Sequence, residues 1–222
     1  MWRLSVGLSL LLLSCSGIAG VEIGGNRVIY DAGAKQAVIS VSNPDDRPYL
    51  IQSWVDKSPE AGDGDETFIT TPPLFRLEPH SQNSVRIVYT GKSLPSDHES
   101  MMWLSIKSVP STERDDANRL FITVKTVMKL FYRPRGLKGD PATAYEKLNF
   151  SRRGEQIYVS NPTPYYISLY ELVIGGFHVK TPPTLPPYKE QTVAVPKGLA
   201  NTVSWRAIND FGGVTDVRNA KL

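Results

Sequence analysis

From residue 20 onward the chain alternates apolar and polar positions in short runs, separated by Gly, Pro, Asn and Asp. Across Gln36 to Asn43, Ala37, Ile39 and Val41 alternate with Val38, Ser40 and Ser42, which predicts a strand with one face turned inward. The turn Asn43-Pro44-Asp45-Asp46 ends it. Further strands are predicted over Arg27–Tyr30, Tyr49–Val55, Phe68–Thr70, Leu74–Leu77, Ser84–Tyr89 and Met101–Val109. The longest candidate is Leu120–Tyr132. No long segment holds a helical period. Strands at this spacing, with turn residues between them, predict an all-β sandwich.

The pattern breaks after Tyr132. Arg133-Pro134-Arg135-Gly136 opens a stretch that runs through Lys138-Gly139-Asp140-Pro141. Proline removes a ladder donor and fixes φ, so no central strand continues through it. Strand signals resume at Leu148, Gln156–Ser160, Tyr165–Ile174, Gln191–Val195 and Val203–Ile208. The 222 residues suffice for two domains of about 100 residues, each with its own core. The expected division is an N-terminal β domain over 20–136 and a smaller β domain over 137–222.

Residues 1–19 read as a secretory signal. Arg3 supplies the positive start, an apolar run covers Leu4 to Leu13, and Gly17 and Ala19 are spaced for cleavage after Ala19. The run is too short to cross a bilayer comfortably, and no other apolar run of spanning length follows. Cys15, the only cysteine, falls inside this segment. The mature chain is therefore expected to lack disulfides and thiolate chemistry, and to be soluble outside the cytoplasm. A formal charge of +3 is too small to argue for nucleic-acid binding.

Residues with catalytic potential are few. His80, His98 and His178 sit apart in polar contexts. No serine has a Gly-x-Ser-x-Gly setting, and no His-Glu-x-x-His pair exists. Asp63-Gly64-Asp65-Glu66 offers carboxylates without the full pattern of a calcium loop. No glycine-rich phosphate cradle follows a strand and opens a helix. Neither a catalytic set, a metal site nor a cofactor is expected.

The informative segment is Arg119 to Pro134. Leu120, Ile122 and Val124 alternate with Phe121, Thr123 and Lys125, and Met128 and Leu130 keep the same parity. This apolar face either packs into its own sandwich or belongs to an edge strand that lends its side chains to a partner. A long exposed apolar edge is an aggregation hazard, so a chain that keeps one has a use for it.

Lys129-Leu130-Phe131-Tyr132-Arg133-Pro134 resembles the signature of the periplasmic pilus chaperones of the chaperone–usher pathway. Asn26-Arg27-Val28-Ile29-Tyr30 is similar to their first strand, and Pro48-Tyr49-Leu50 with Gln52-Ser53-Trp54 fits the next segment. Thr71-Pro72-Pro73, Arg76-Leu77-Glu78-Pro79, Asn161-Pro162-Thr163-Pro164-Tyr165-Tyr166 and Ile208-Asn209-Asp210-Phe211-Gly212-Gly213 follow in the expected order. The resemblance thus spans nearly the whole mature chain. The short loop from Pro110 to Arg119 looks like the short-loop branch of the family.

The resemblance implies two immunoglobulin-like sandwiches set at an angle around a cleft. It implies that Arg27 and Lys129 anchor the terminal carboxylate of a pilus or fimbrial subunit. Leu120, Ile122 and Val124 would fill the groove of a subunit that lacks its last strand, and Glu99, Arg133 and Asp210 would form a charged cluster between the domains. The implied partners are subunits and an outer-membrane usher, and the implied compartment is the periplasm. Strict alternation sets Lys129 on the face opposite Leu120, Ile122 and Val124, which a bulge, a twist or a bend must reconcile. Two other classes compete: an extracytoplasmic enzyme on a β scaffold, which needs clustered acid, base or metal ligands in a pocket, and an adhesion or structural subunit, which needs a missing strand or a donor extension.

Overall fold

The computed structural model describes residues 20–62, 64–111 and 122–222. The expected signal segment, Asp63 and Leu120 lie outside them. The first half holds β1 (Glu22–Ile23), β2 (Arg27–Asp31), β3 (Ala37–Asn43), β4 (Tyr49–Asp56), β5 (Phe68–Thr71), β6 (Leu74–Leu77), β7 (Ser81–Tyr89), β8 (Ser100–Pro110) and β9 (Val124–Arg133). A 3₁₀ turn over Ala144–Lys147 opens the second half. There follow β10 (Asn149–Arg153), β11 (Gln156–Ser160), β12 (Ile167–Ile174), β13 (Phe177–His178), β14 (Thr184–Leu185), β15 (Glu190–Val193), β16 (Thr202–Ala207) and β17 (Arg218–Lys221). No α-helix occurs among the described residues.

In the first half, a sheet ordered β1-β3-β7-β5 packs on one ordered β2-β9-β8-β4-β6. The alternation of β3 sets its geometry: Ile39 and Val41 are buried, while Val38 is exposed. Ile51, Leu104, Ile106 and Leu130 come from the facing sheet to the same core. The second half repeats the plan, with β10-β11-β15 opposite β13-β12-β16-β17 and β14 paired to β12. Its core gathers Ile157, Leu172, Ile174, Leu185 and Trp205 and shares no buried residue with the first. The chain is thus two β-sandwiches, each around its own core.

Each sandwich is closed by one buried asparagine. Asn43 Nδ2 donates to the carbonyls of Arg47, Glu78 and Leu77, and its Oδ1 accepts from the Asp45 N–H. Asn161 does the same in the second sandwich, donating to the carbonyls of Tyr165, Pro186 and Leu185 while accepting from the Thr163 N–H. Both sit in a Ser-Asn-Pro sequence at a strand end. Proline leaves the next position without a donor, and the asparagine amide satisfies carbonyls at the ends of β6 and β14 and in the loops beside them.

β9 connects the fold to the site. Along one edge it pairs with β8 without a register break, from Ser108↔Val124 to Ser100↔Tyr132. On its other edge, β2 runs parallel to it only from Arg27↔Lys129 to Asp31↔Arg133. Among the described residues, the edge from Val124 to Met128 has no strand beside it. No bulge interrupts β9, so its two faces stay distinct throughout. Met128 and Leu130 point into the core, and Lys129 and Arg133 point outward to the second sandwich. The expected strand over Leu120–Tyr132 is shorter where described: Ile122 and Thr123 precede β9 outside any strand.

Candidate functional site

The outward face of the β2-β9-β8-β4-β6 sheet meets the second sandwich in a cleft, and two cations stand side by side on it. Arg27 opens β2, and its parallel partner in β9 is Lys129. Arg27 Nη1 donates to the Ile208 carbonyl across the cleft at 3.0 Å, and its Nε is buried with no partner among the described residues. The guanidinium carbon lies 5.7 Å from the centroid of the Phe131 ring. Lys129 Nζ donates to Thr184 Oγ1 and, at 3.4 Å, to Ser168 Oγ, both in the second sandwich.

Burial pushes Arg27 below its usual value, against the pull of Asp210 and Glu99. Burial lowers Lys129 too, and the charge of Arg27 adds to that shift. Among the described residues neither cation forms an ion pair with a carboxylate. Two partly desolvated, mutually repelling cations with spare donors can accommodate an anion with two oxygens. Arginine presents a planar fork to a carboxylate and lysine a compact charge.

Deeper in the cleft the three expected charges meet. Arg133 Nε donates to Glu99 Oε1 at 2.6 Å, while its Nη1 and Nη2 reach Asp210 Oδ2 and Oδ1 at 2.7 and 3.0 Å. The second carboxylate oxygen of Glu99 accepts from the Tyr166 N–H at 2.7 Å, and the Glu99 N–H donates to the Pro164 carbonyl. Glu99 is only 2% exposed. Its burial raises its pKa, and the opposing pull of Arg133 and the Tyr166 N–H does not cancel the rise. Burial alone would lower Arg133, but its bonds to Asp210 and the charge of Glu99 outweigh that and hold it firmly protonated. Glu99 and Arg133 belong to the first sandwich and Asp210 to the second, so the cluster ties the two together.

The apolar candidates separate along β9 and the residues just before it. Ile122 is 67% exposed and Val124 53%, whereas Met128 and Leu130, of the same parity, are buried. The core ends beneath Met128, and the residues before it project beyond it along the edge that has no strand beside it among the described residues. Other candidates are ordinary. His80, His98 and His178 lie beside Asp46, Asp97 and Glu171, one carboxylate each. Asp65 is paired with Lys57 and Glu66 with Lys92, which leaves the acidic loop without a pair of free carboxylates. Among the described residues no group of three or more His, Cys, Asp or Glu side chains could hold a metal. None of their helices is long and apolar enough to cross a membrane.

A double sandwich whose apolar strand end has no strand beside it among the described residues, and which leads to a cationic cleft, has the features of a protein that binds other chains. Two family models match: the pili and flagellar-assembly chaperone PapD N-terminal domain over residues 20–138, and the pili assembly chaperone PapD C-terminal domain over 143–219. The chain is similar to the probable fimbrial chaperone protein ElfD of Escherichia coli K12, at 40% identity across 98% of this chain and 95% of that one. It is 40% identical to the chaperone protein FimC of the same strain, covering 89% of this chain and 82% of that one. Among solved structures, the Salmonella enterica complex of the SafA pilin with the SafB chaperone superposes with a TM-score of 0.83 at 36% identity, over 91% of this chain and 96% of the other. The E. coli chaperone DraB gives 0.81 at 33%, over 91% and 98%. The chain belongs to the pilus-assembly chaperone family.

Proposed function

We propose that this chaperone captures pilus or fimbrial subunits by lending them the free edge of β9. The observation that carries this reading is the apolar edge at Ile122 and Val124, which has no strand beside it among the described residues and runs directly into the Arg27–Lys129 pair. Backbone groups of the edge supply hydrogen bonds, and Leu120, Ile122 and Val124 fill the groove of a subunit that lacks a strand. Burying one such aliphatic side chain contributes about 1.5–3 kcal/mol. Arg27 and Lys129 hold the subunit's terminal carboxylate. That anchor sets the register, since a slip of one residue turns the wrong face inward.

Glu99, Arg133 and Asp210 hold the domains, 20–136 and 137–222, in the relation that keeps the cleft open. Asp210→Ala is expected to remove the two-pronged tie from Arg133 to the second sandwich and to lower the midpoint of thermal unfolding or the chaperone yield. An unchanged melting curve and an unchanged yield would remove this role. The protein acts in the periplasm after loss of residues 1–19, works by binding without catalysis, and passes its cargo to an outer-membrane usher. Purifying it from periplasmic extracts, with mass spectrometry of whatever accompanies it, tests the proposal. A pilin-like chain with a missing strand is expected, and its absence from cells that express pili would refute the reading.

A further inference from the structure

The cleft wall carries a second pair of cations. Antiparallel register sets Lys107 of β8 directly opposite Lys125 of β9. Both lie on the outward face that bears Lys129, two rows further along the sheet. In the row between, Val127 opposes Ser105, which in turn neighbours Trp54 of β4. Lys125 Nζ stands 5.2 Å from the Trp54 ring centroid, and Lys129 Nζ 5.9 Å from that of Trp103. Asp56 is one carboxylate on this part of the face. It is buried, and it accepts from Trp54 Nε1 and the Gly64 N–H.

Like charges directly opposite each other destabilise a sheet. Here two such pairs, Arg27–Lys129 and Lys107–Lys125, stand on one face. An anion placed at the second pair would turn its repulsion into attraction. Lys125 also belongs to the part of β9 that has no second strand beside it among the described residues, so a chain docked there passes Lys125 directly and Lys107 one strand further across the same face.

We infer that Lys107 and Lys125 form a second anion-recognition point, which takes a carboxylate side chain on the surface of the bound subunit. At about 3.3 Å per residue, it lies roughly 13 Å along β9 from Lys129. The inference rests on β9 being the subunit-binding edge. It adds that subunits with an acidic surface over this wall are captured faster than those without one.

The test uses the full mature chaperone and the subunit that co-purifies with it. That subunit is unfolded, diluted into each chaperone variant, and complex formation is followed at about 0.05 M and 0.5 M salt. The double variant Lys107→Gln/Lys125→Gln is expected to slow capture about tenfold at low salt and to match wild type at high salt. Lys107→Arg/Lys125→Arg should keep the wild-type rate. The free double glutamine variant should melt no lower than wild type, because a repulsive pair has been removed. Equal capture at low salt would overturn the inference. So would a loss of the same size at both salts, which would mean that the lysines act through packing on Trp54. Ile122→Glu serves as the separate control: if it captures subunit normally, β9 is not the subunit-binding edge, and this inference falls with that reading.

Discussion

Arg27→Ala and Lys129→Ala are each expected to abolish subunit capture while the chaperone stays folded. Removing one partner from a buried charged contact costs about 3–5 kcal/mol. That corresponds to roughly a hundredfold or more in affinity. The free protein has little to lose. Arg27 gives up one hydrogen bond to the Ile208 carbonyl, and Lys129 gives up its contacts to Thr184 and Ser168. A hydrogen bond of this kind contributes about 0.5–1.5 kcal/mol net, and each truncation also relieves the repulsion between the two cations. Thermal melting should therefore stay near wild type, and subunit recovery from periplasmic extracts should fall to background. Normal recovery with both single variants would show that the carboxylate is held elsewhere.

Ile122→Glu is expected to melt like wild type and to form no complex. The side chain is 67% exposed in the free protein, so a carboxylate there stays in water. In the complex the same carboxylate would enter an apolar groove without a partner, and an isolated buried charge is very costly. Leu130→Glu is the matched control. It has the same parity on the same continuous chain but is fully buried, so it should collapse the melting temperature before any question of binding arises. Two variants that behave alike, both stable or both unfolded, would mean that the apolar face does not divide between core and partner.

That division is what the sequence could not show. Leu120, Ile122, Val124, Met128 and Leu130 share one parity, and alternation reports only that they share a face. Whether that face meets its own core depends on where the other sheet ends and where β2 begins to pair, and both are tertiary facts. The strand signals around Ile39, Ile51 and Leu104 were legible because burial on one side of an ordinary sheet imposes a period of two. β17 was not legible, because Arg218 to Lys221 are all exposed and carry no apolar alternation. The Lys107–Lys125 pair was invisible for a different reason: only the register of β8 against β9 makes the two residues neighbours. The twin asparagines could have been noticed as two Ser-Asn-Pro sequences. Their matching bonds to main-chain carbonyls needed the fold.

The continuity of β9 bears on the speed and fidelity of capture. Met128, Leu130 and Phe131 are buried, so one end of the strand is immobilised before any cargo arrives. The ladder to β8 runs unbroken to Val124, which carries that rigidity out to the free edge. Much of the ordering entropy that a floppy donor would surrender on contact has therefore been surrendered already, during folding of the chaperone itself. The distance from the cation pair to Val124 is likewise fixed in advance. Under the proposed function the strand serves as a ruler with its zero mark at Lys129, and an unfolded chain is measured from its own last residue.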